Sequence, residues 1–402
     1  MTSEWNHSTI SDVCVLVTDG SHSSPKSVND GEYMVSVKDF TDYGFNFTSC
    51  RMISHDDYEA LKRNGCVPQI DDILIGKDGA RFFEDIIIYR QREKPALLSS
   101  IAILRCDKSK ILPDFLYYAL RTPSFRQDVK DNYGSGSAIP RIILKDFKRM
   151  MVSYPSLEKQ QSIISVLTAI DSKIQTNTEI NDNLEQQAQA IYHERFEPVS
   201  PNDLPSDWRI VTLGEVATIS NKSFNPLKEP EILLEHYSIP AFDEARFPVF
   251  DLSTSIKSNK FIIDASCFMI SKLNPTTKRV WKPYCLTGNA VCSTEFIVYK
   301  AKDKTIADFL YSVIDSNSFS DFMCSHVTGS TGSRQRTTPS DTLSYELILP
   351  SEGELAEFQS LVSPMYAQIR INAIENDRLK RLRDSLLLKL MSGEIDVSTI
   401  QL

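Results

Sequence analysis

The strongest constraint on the fold of this chain is an internal repeat with a spacing of about 195 residues. The stretch PDFLYYALRTPSF, from Pro113 to Phe125, returns as ADFLYSVIDSNSF, from Ala307 to Phe319. DILIGK, which begins at Asp72, returns as CFMISK, and VSYPS returns as LILPS. Solenoid repeats have periods of roughly 20 to 50 residues, far shorter than this one. The chain is therefore interpreted as two copies of one domain, each followed by its own helix.

Length and composition are those of a globular protein. The 402 residues are 41% hydrophobic, enough for two domains of ordinary size with a core each. No segment reaches the ~18 consecutive apolar residues of a membrane helix, and Met1 to His7 lack the layout of a signal peptide. The eight cysteines are scattered without a C-x-x-C pair, which indicates reduced thiols. We therefore expect a cytoplasmic protein with no membrane segment.

The net charge of -9 predicts weak nonspecific affinity for DNA, because that affinity grows with the number of phosphates neutralised. The charges are nevertheless evenly spread. Residues 1–150 contain 20 basic and 21 acidic side chains, and residues 201–350 contain 15 and 17. A local basic face on either copy is compatible with this balance.

The hydrophobic pattern predicts a mixed α/β domain in each copy. Apolar runs of strand length recur in both, such as DILIG, DIIIY and SIAIL in the first and CFMIS and EFIVY in the second. Two short helices follow, with Thr122-Pro123 as a cap and first-turn pair. A Gly/Ser loop, beginning at Gly134 in one copy and at Gly329 in the other, then leads to a final strand that ends in Pro-Ser.

A long helix follows each Pro-Ser. Its apolar residues alternate spacings of four and three, the pattern of a coiled-coil seam. The alternative is a helix packed on its own domain, but asparagines at seam positions favour two helices that pack on each other and bond across the interface. The predicted interface residues are Ile163, Leu167, Ile170, Ile174, Asn177, Asn181, Leu184 and Ile191 in the first helix, and Met365, Ile369, Asn372, Asn376, Leu379 and Leu386 in the second.

The seam spacing alone leaves the orientation of the two helices open. Asn177 would face Asn372 in a parallel pair and Asn376 in an antiparallel pair. We expect the antiparallel pair, because it relates the two halves by a pseudo-twofold axis and separates the domains. The predicted architecture is α/β (mixed α+β), with a first domain at 1–155, a long helix at 156–198, a second domain at 199–350, and a second long helix with a tail at 351–402.

Catalytic motifs are not recognised in the sequence. The Gly76-Lys77 pair has Asp71 where a phosphate-binding loop needs its first glycine. The sequence Asn-Pro-Thr that begins at Asn274 does not match the Asn-Pro-Pro-aromatic motif of adenine methyltransferases. The six histidines show no metal-ligand spacing. Carboxylate pairs such as Asp71-Asp72 are interpreted as helix starts and solvated turns. We expect a binding protein that has no catalytic residue and holds neither a metal nor a cofactor.

The order of elements and several motifs resemble the specificity subunits of type I restriction-modification systems across essentially the whole chain. The motifs are DGSHSSPK, DDILIGKDG, the PSLEKQQ junction and the closing LKRLRDSLLLKLMSGEIDV. The resemblance implies two target recognition domains that each read half of a split, asymmetric sequence in double-stranded DNA, with the helices as spacer. It also implies two adenine methyltransferase subunits, which bind S-adenosylmethionine, and restriction subunits (ATP-dependent nuclease and translocase) as optional partners.

Candidate DNA contacts are the basic and short polar side chains of loops, which can reach phosphates or base edges. The alternative for each is an ordinary solvated charge. The second copy has GSTGSRQRTTP where the first has GSGSAIPR, a divergence that different half-sites would require. The candidates are His22, Ser24, Lys26, Lys77, Arg81 and Arg141 in the first domain, and Lys222, Lys272, Lys278, Arg279, Arg334, Gln335 and Arg336 in the second.

Two other functions fit parts of the pattern. The chain could be a stand-alone enzyme that modifies or cleaves DNA, which would require binding of S-adenosylmethionine or cleavage by the purified chain. A coiled-coil protein scaffold is the other alternative, and it would retain no DNA in a sequence-dependent manner.

Overall fold

Two compact units make up the chain in the computed structural model, which describes residues 5–79, 81–134, 140–197, 203–329 and 335–395. The first unit comprises Met1–Ser172 and Lys380–Leu402, and the second comprises Lys173–Leu379. Each unit thus contains an α/β portion and parts of two long helices. The mixture of helices and strands predicted from the hydrophobic pattern is confirmed.

The first unit contains short strands and helices. Its strands are β1 Asn6–Thr9, β2 Cys14–Asp19, β3 Glu32–Val35, β4 Phe40–Thr41, β5 Gly44–Phe45, β6 Arg51–Ile53, β7 Ile73–Gly76, β8 Ile86–Ile88, β9 Ala96–Leu97, β10 Ile101–Cys106 and β11 Met151–Tyr154. Its helices are α1 Ile10–Val13, α2 His55–Arg63, α3 Pro113–Arg121, α4 Pro123–Asn132 and α5 Leu144–Arg149, followed by the long helix α6 Leu157–Phe196, which continues into the second unit.

The second unit repeats this order and enlarges it. Its strands are β12 Arg209–Thr212, β13 Ala217–Ile219, β14 Ser223–Phe224, β15 Leu233–Tyr237, β16 Val249–Leu252, β17 Lys260–Ile262, β18 Cys267–Ser271, β19 Val280–Trp281, β20 Ala290–Ser293, β21 Phe296–Ala301, β22 Val327–Thr328, β23 Arg336–Thr337 and β24 Glu346–Leu349. Its helices are α7 Leu213–Val216, α8 Ile239–Ala245, α9 Ala307–Ile314 and α10 Asn317–Ser325, followed by the long helix α11 Glu352–Met391, which ends in the first unit.

A four-stranded antiparallel sheet, in the order β2-β10-β7-β8, is the centre of the first unit. Both of its faces are covered. Ile73 and Ile75 pack with Phe115 of α3, whereas Leu74 and Ile103 pack in a separate cluster on the opposite face. Burial of both faces explains why these strands are continuous apolar runs, where a half-exposed strand would alternate. Removing such a side chain, for example by Ile→Ala, typically costs about 2–5 kcal/mol.

The repeat in the sequence is also a repeat in the strand register. Leu74 pairs with Ile103 in the first unit, and Met269 pairs with Val298 in the second, each 195 residues later. The central sheet of the second unit has the order β13-β21-β18-β19, and β12 pairs with β24 as β1 pairs with β11. The units differ outside this sheet. The first adds the sheet β6-β3-β9, whereas the second adds a five-stranded sheet in the order β14-β17-β20-β15-β16.

Portions of both long helices complete the core of each unit. Leu167 of α6 and Leu390 of α11 are buried in the main cluster of the first unit, and Tyr192 of α6 and Phe358 of α11 are buried in that of the second. In each unit, therefore, one helix contributes its beginning and the other its end. The two helices are antiparallel, as predicted from the seam.

The seam asparagines meet in the second unit. Asn177 Nδ2 donates to Asn376 Oδ1 at 2.9 Å and to Glu375 Oε2 at 2.7 Å. Asn372 Nδ2 donates to Asn181 Oδ1 at 2.9 Å. Asn177 thus faces Asn376, which is the antiparallel partner of the two that the sequence allowed.

Helix starts follow the local sequence. The Thr122 hydroxyl accepts a hydrogen bond from the backbone N–H of Phe125 at 3.3 Å, and Pro123 occupies the first helical position of α4. The cap predicted from Thr122-Pro123 is present. Within the described part of the chain, the helices lack the long apolar stretch needed to cross a membrane.

Candidate nucleic-acid interface

Three segments of the first unit converge where β7 ends, and together they form what we call loop junction 1. The backbone N–H of Ile142 donates to the Lys77 carbonyl at 3.0 Å, and that of Gly79 donates to the Pro140 carbonyl at 2.9 Å. A β-bridge joins Asp78 to Arg141 between these two bonds. The segment that follows the Gly/Ser loop is therefore fixed beside Lys77. The loop after β2, which begins at Asp19, reaches the same place through side chains.

A buried ion pair organises loop junction 1. Lys77 Nζ lies 3.3 Å from Asp19 Oδ2, and the two side chains are only 2% and 7% exposed. The imidazole Nε2 of His22 lies 3.3 Å from the other oxygen of Asp19, and this side chain is 70% exposed. Asp78 approaches both Lys77 and Arg141 at 3.7 Å. Asp19 therefore contacts the buried ammonium group of Lys77 and the exposed imidazole of His22.

Lys77 cannot present its ammonium group to DNA in this position, which corrects its assignment as a DNA contact. Strand β7 and its extension are enclosed, so the side chain lies in the interior and the ammonium is neutralised by Asp19. A buried charge needs such a partner because desolvation is costly. Lys77 is a structural residue that holds the loop after β2 against β7.

The loop after β2 begins with Asp19-Gly20 because its backbone passes very close to Leu97 at the second residue. A Cβ atom at Gly20 would lie 2.3 Å from the Leu97 carbonyl oxygen, so only glycine allows the close backbone approach. The next residue, Ser21, donates its backbone N–H to that same carbonyl at 2.7 Å, and the Ser21 hydroxyl donates to the Ser23 carbonyl at 2.8 Å. The loop is therefore held in one conformation with His22 on its outer side.

The other candidates of the first unit lie on the surface around this loop. Ser24 accepts a hydrogen bond from Arg51 at 2.9 Å, and Lys26 is exposed nearby in sequence. Arg141 is about half exposed. Arg81 is 73% exposed and pairs with Asp85 at 3.0 Å, within its own turn. Loop junction 1 brings together His22, Lys77 and Arg141 of the predicted set, but not Arg81.

Loop junction 2 repeats this arrangement in the second unit, 195 residues later. The backbone N–H of Thr337 donates to the Lys272 carbonyl at 3.1 Å, and that of Asn274 donates to the Gln335 carbonyl at 3.0 Å. Leu273 bridges to Arg336 as Asp78 bridges to Arg141. The backbone frame is the same although the side chains differ, so two different sets of side chains are displayed by one framework.

The Arg336 guanidinium is oriented by a carboxylate. Nε lies 3.0 Å from Glu295 Oε2 and Nη2 lies 3.1 Å from Glu295 Oε1, a two-pronged ion pair. The hydrogen bonds to Glu295 raise the pKa of Arg336 above its ordinary value. Gln335 and Lys272 are partly exposed beside it. Arg334, the third residue of the predicted RQR group, falls outside the described residues.

Two of the remaining basic candidates of the second unit, Lys278 and Arg279, have acidic partners. Arg279 forms two hydrogen bonds with Asp243, at 2.6 and 2.9 Å, and its side chain is 13% exposed. Lys278 Nζ lies 2.9 Å from an oxygen of Asp315, whose pKa is raised by burial. These pairs tie the loop after β18 to α8 and to the end of α9. Lys222 is exposed and lies apart from them in the sequence.

The two junctions carry little net charge. Junction 1 combines Asp19 and Asp78 with Lys77 and Arg141, and junction 2 combines Glu295 with Lys272 and Arg336. By this count junction 1 is neutral and junction 2 carries one net positive charge, so both attract phosphates only weakly. Such groups are better suited to hydrogen bonding with base edges at fixed positions.

The sequence did not predict that carboxylates such as Asp19 and Glu295 are part of the site. Asp19 lies inside the DGSHSSPK motif, but nothing in the sequence shows that it meets Lys77 across the sheet. Asp72 corrects a further interpretation: it is fully buried and accepts two hydrogen bonds from Arg105 at 2.8 Å, so it is not a solvated turn residue.

The predicted helix interface is buried or half-buried along its length. Hydrogen bonds join its asparagines as described above. The buried members are Ile163, Leu167, Ile174, Asn177, Asn372 and Asn376, and the partly exposed members are Ile170, Asn181, Leu184, Ile191, Met365, Ile369, Leu379 and Leu386. Several other apolar side chains of the helices are turned outward, including Ile180 at 41% and Ile371 at 55% exposure.

Metal coordination is not supported by the side chains of the described segments, since no three of their His, Cys, Asp or Glu residues are grouped as ligands. All eight cysteines are free thiols, five of them buried. The site consists of hydrogen-bonding and charged groups on fixed loops.

Comparison with known proteins shows similarity to proteins of one kind. Residues 2–186 match the model of the type I restriction modification DNA specificity domain. The MjaIX specificity subunit of Methanocaldococcus jannaschii is 25% identical over 73% of this chain and 71% of its own length. The HindI specificity subunit of Haemophilus influenzae is 23% identical over 73% of this chain and 80% of its own length.

A solved structure shares the fold. The S subunit of a type I restriction-modification system from M. genitalium superimposes with a TM-score of 0.54 over 97% of this chain and 96% of its own, at 15% identity. Its fold and the matched specificity domain agree with the repeated α/β units and antiparallel helices described above. In sequence and in fold the chain is therefore similar to specificity subunits of type I restriction-modification systems, and its residues 2–186 match the model of their DNA specificity domain.

Proposed function

We propose that the chain recognises a bipartite, asymmetric sequence in double-stranded DNA, with one half read by residues 1–155 and the other by residues 199–350. Residues 156–198 and 351–402 act as the spacer and bind two adenine methyltransferase subunits, which supply S-adenosylmethionine and the chemistry. Restriction subunits are optional partners. The complex works in the cytoplasm on the DNA of the host.

The observation that carries this proposal is the repeated loop junction. The same backbone hydrogen bonds hold Lys77 to Ile142 in one unit and Lys272 to Thr337 in the other, yet the side chains between them differ. One framework with two sets of side chains suits the recognition of two different half-sites. His22 and Arg141 are the proposed contacts at junction 1, and Gln335 and Arg336 those at junction 2. Exposed lysines nearby, such as Lys26 and Lys222, would contact phosphates.

The helices support the proposed docking of methyltransferase subunits. Ile371 and Ile180 are about half exposed on α11 and α6, although each helix already has a buried seam. Exposed apolar side chains outside the seam are typical of protein interfaces. Purification of the chain from its host should recover adenine methyltransferase subunits, and a chain that purifies without them would contradict this part of the proposal.

Exchange of one domain tests the bipartite reading. Replacing residues 1–155 with the corresponding domain of another specificity subunit should change one half-site and leave the other half-site and the spacer unchanged. The measurement is sequencing of methylated adenines in cells that express the exchanged chain with its methyltransferase. Exchange of residues 199–350 is the matched control and should change the opposite half-site. A change of both half-sites by either exchange would contradict the proposal.

A further inference from the structure

The five-stranded sheet of the second unit is anchored to both long helices at one place. Arg246, directly after α8, donates from Nη1 to Glu185 Oε2 of α6 at 2.7 Å. Arg370 of α11 donates from Nε and Nη2 to the Tyr284 carbonyl at 3.3 and 3.1 Å. The hydroxyl of Tyr284 in turn donates to the Arg246 carbonyl at 3.2 Å. We call Glu185, Arg246, Tyr284 and Arg370 the strut.

The position of Arg246 is fixed by its backbone. It adopts a left-handed conformation, with φ 48° and ψ 35°, as the residue that ends α8, and its N–H donates to the Phe242 carbonyl at 3.1 Å. The guanidinium carbon lies 5.5 Å from the centre of the Phe242 ring. The left-handed conformation is strained for a residue other than glycine. Its guanidinium is therefore directed at α6 by a fixed turn as well as by Glu185.

A buried carboxylate supports the other end of the strut. Glu235 of β15 is fully buried and accepts from the backbone N–H of Leu286 at 3.0 Å and of Thr287 at 2.8 Å. The Tyr237 hydroxyl, which donates to Glu235, accepts from the N–H of Tyr284 at 2.9 Å. These bonds make the segment after β19 a rigid part of the five-stranded sheet. The hydrogen bonds from Arg370 to the Tyr284 carbonyl therefore connect α11 to the sheet.

We propose that the strut fixes the orientation of the second recognition domain on the helices and thereby determines how strictly the complex enforces the distance between half-sites. This rests on the proposed function. Arg246 and Arg370 act as positioning residues, because each joins the five-stranded sheet to a different helix. A domain held at two points resists the tilt that a wrong spacer would demand. Without the strut, the domain tilts and tolerates a wrong spacer.

The test compares spacers with the whole complex. The chain is expressed with its methyltransferase, and methylation is measured on plasmid targets whose half-sites are separated by the native spacer or by one base pair more or less. The readout is the ratio of methylation on native to altered spacers. The loss of one surface ion pair or hydrogen bond changes the equilibrium between the fixed and the tilted domain by a factor of up to about five. We therefore expect Arg246→Ala/Arg370→Ala to lower the ratio about tenfold.

Matched variants separate positioning from a general loss of stability. The charge reversal Glu185→Arg/Arg246→Glu should restore the ratio that Arg246→Ala loses. Lys300→Ala removes an exposed ion pair with Asp264 that lies outside the strut, and it should leave the ratio unchanged. If Arg246→Ala/Arg370→Ala keeps the wild-type ratio, the strut does not set spacer stringency and the inference is overturned. A wild-type complex that methylates all spacers equally would instead overturn the proposed spacer function.

Discussion

Residue by residue, the candidate site depends on carboxylates that hold cations in place. Asp19 neutralises Lys77 inside the first unit and contacts His22 at its surface, whereas Glu295 orients Arg336 in the second. The basic residues were predictable from the sequence because loops rich in Lys and Arg stand out. Their partners were not, because Asp19 and Lys77 are 58 residues apart and meet only through the pairing of β2, β10 and β7.

Removal of Asp19 tests the buried pair. Asp19→Asn should leave the buried Lys77 ammonium with only Asp78, at 3.7 Å, as a countercharge and lower the free energy of unfolding by up to about 3–5 kcal/mol. Asp19→Asn/Lys77→Met should recover most of that loss, because the charge is then absent. Denaturant unfolding of the purified chain gives both values. His22→Ala is the control and should change stability by less than about 0.5 kcal/mol, since its side chain is exposed.

The same variants separate structure from DNA recognition. His22→Ala should weaken methylation at one half-site although the chain stays folded. If Asp19→Asn unfolds at the same denaturant concentration as the wild type, the ion pair does not stabilise the unit, and Lys77 would have to be reconsidered as a surface residue.

Secondary-structure elements were predictable where their periodicity is strong. The strands with continuous apolar runs and the helices with seven-residue spacing lie where the pattern places them, and Thr122 caps α4. Only some strands of the five-stranded sheet could be predicted from the sequence. Its strands β15 and β16, LLEHY and VFDL, mix polar and apolar residues because one contains the buried Glu235, and α8 is seven residues long. Short elements that use buried polar groups give little periodic signal.

Paired asparagines give the long helices their register. Asn177 and Asn376 are buried and bonded to each other, so replacing one removes a buried hydrogen bond of the other. We expect Asn177→Leu or Asn376→Leu alone to lower the free energy of unfolding by about 1–3 kcal/mol. The double variant should recover this loss because leucines pack at seam positions, while the helices lose a polar contact that specifies their alignment.

A double-mutant cycle in urea measures this coupling. The coupling energy between Asn177 and Asn376 should be about 0.5–3 kcal/mol, as expected for contacting residues. Asn183→Leu is the matched control, since Asn183 is on the exposed side of α6 and should affect stability little. Strictly additive effects of Asn177→Leu and Asn376→Leu would show that the observed hydrogen bond contributes nothing to the pairing.

For the molecule as a whole, the repeat predicted the most. The spacing of about 195 residues predicted the two-copy architecture, and seam asparagines limited the helix pair to two orientations, of which the antiparallel one is present. The repeat could not predict how the copies differ. The five-stranded sheet and its strut arise from non-repeated residues such as Arg246, and the side chains that we propose to read DNA are those in which the copies diverge. The proposed function thus depends on the positions at which the internal repeat is broken.

Lengthening both helices tests the whole-molecule proposal that they set the distance between half-sites. Inserting seven residues after Ser172 in α6 and seven after Leu379 in α11 keeps the seven-residue period of the seam, so the helices can still pair. Each insertion adds about 10 Å of helix, which corresponds to roughly three base pairs of DNA. Sequencing of methylated adenines should therefore show the same two half-sites with a longer spacer.

A one-sided insertion is the control for this experiment. Seven residues added to α6 alone shift Asn177 and Asn181 relative to Asn376 and Asn372, so the paired seam cannot form along its full length. That variant should lose methylation, whereas the two-sided insertion keeps it. If the two-sided variant methylates targets with the original spacer, the helices do not determine the distance, because a rigid pair that is 10 Å longer could not hold both domains on the same half-sites.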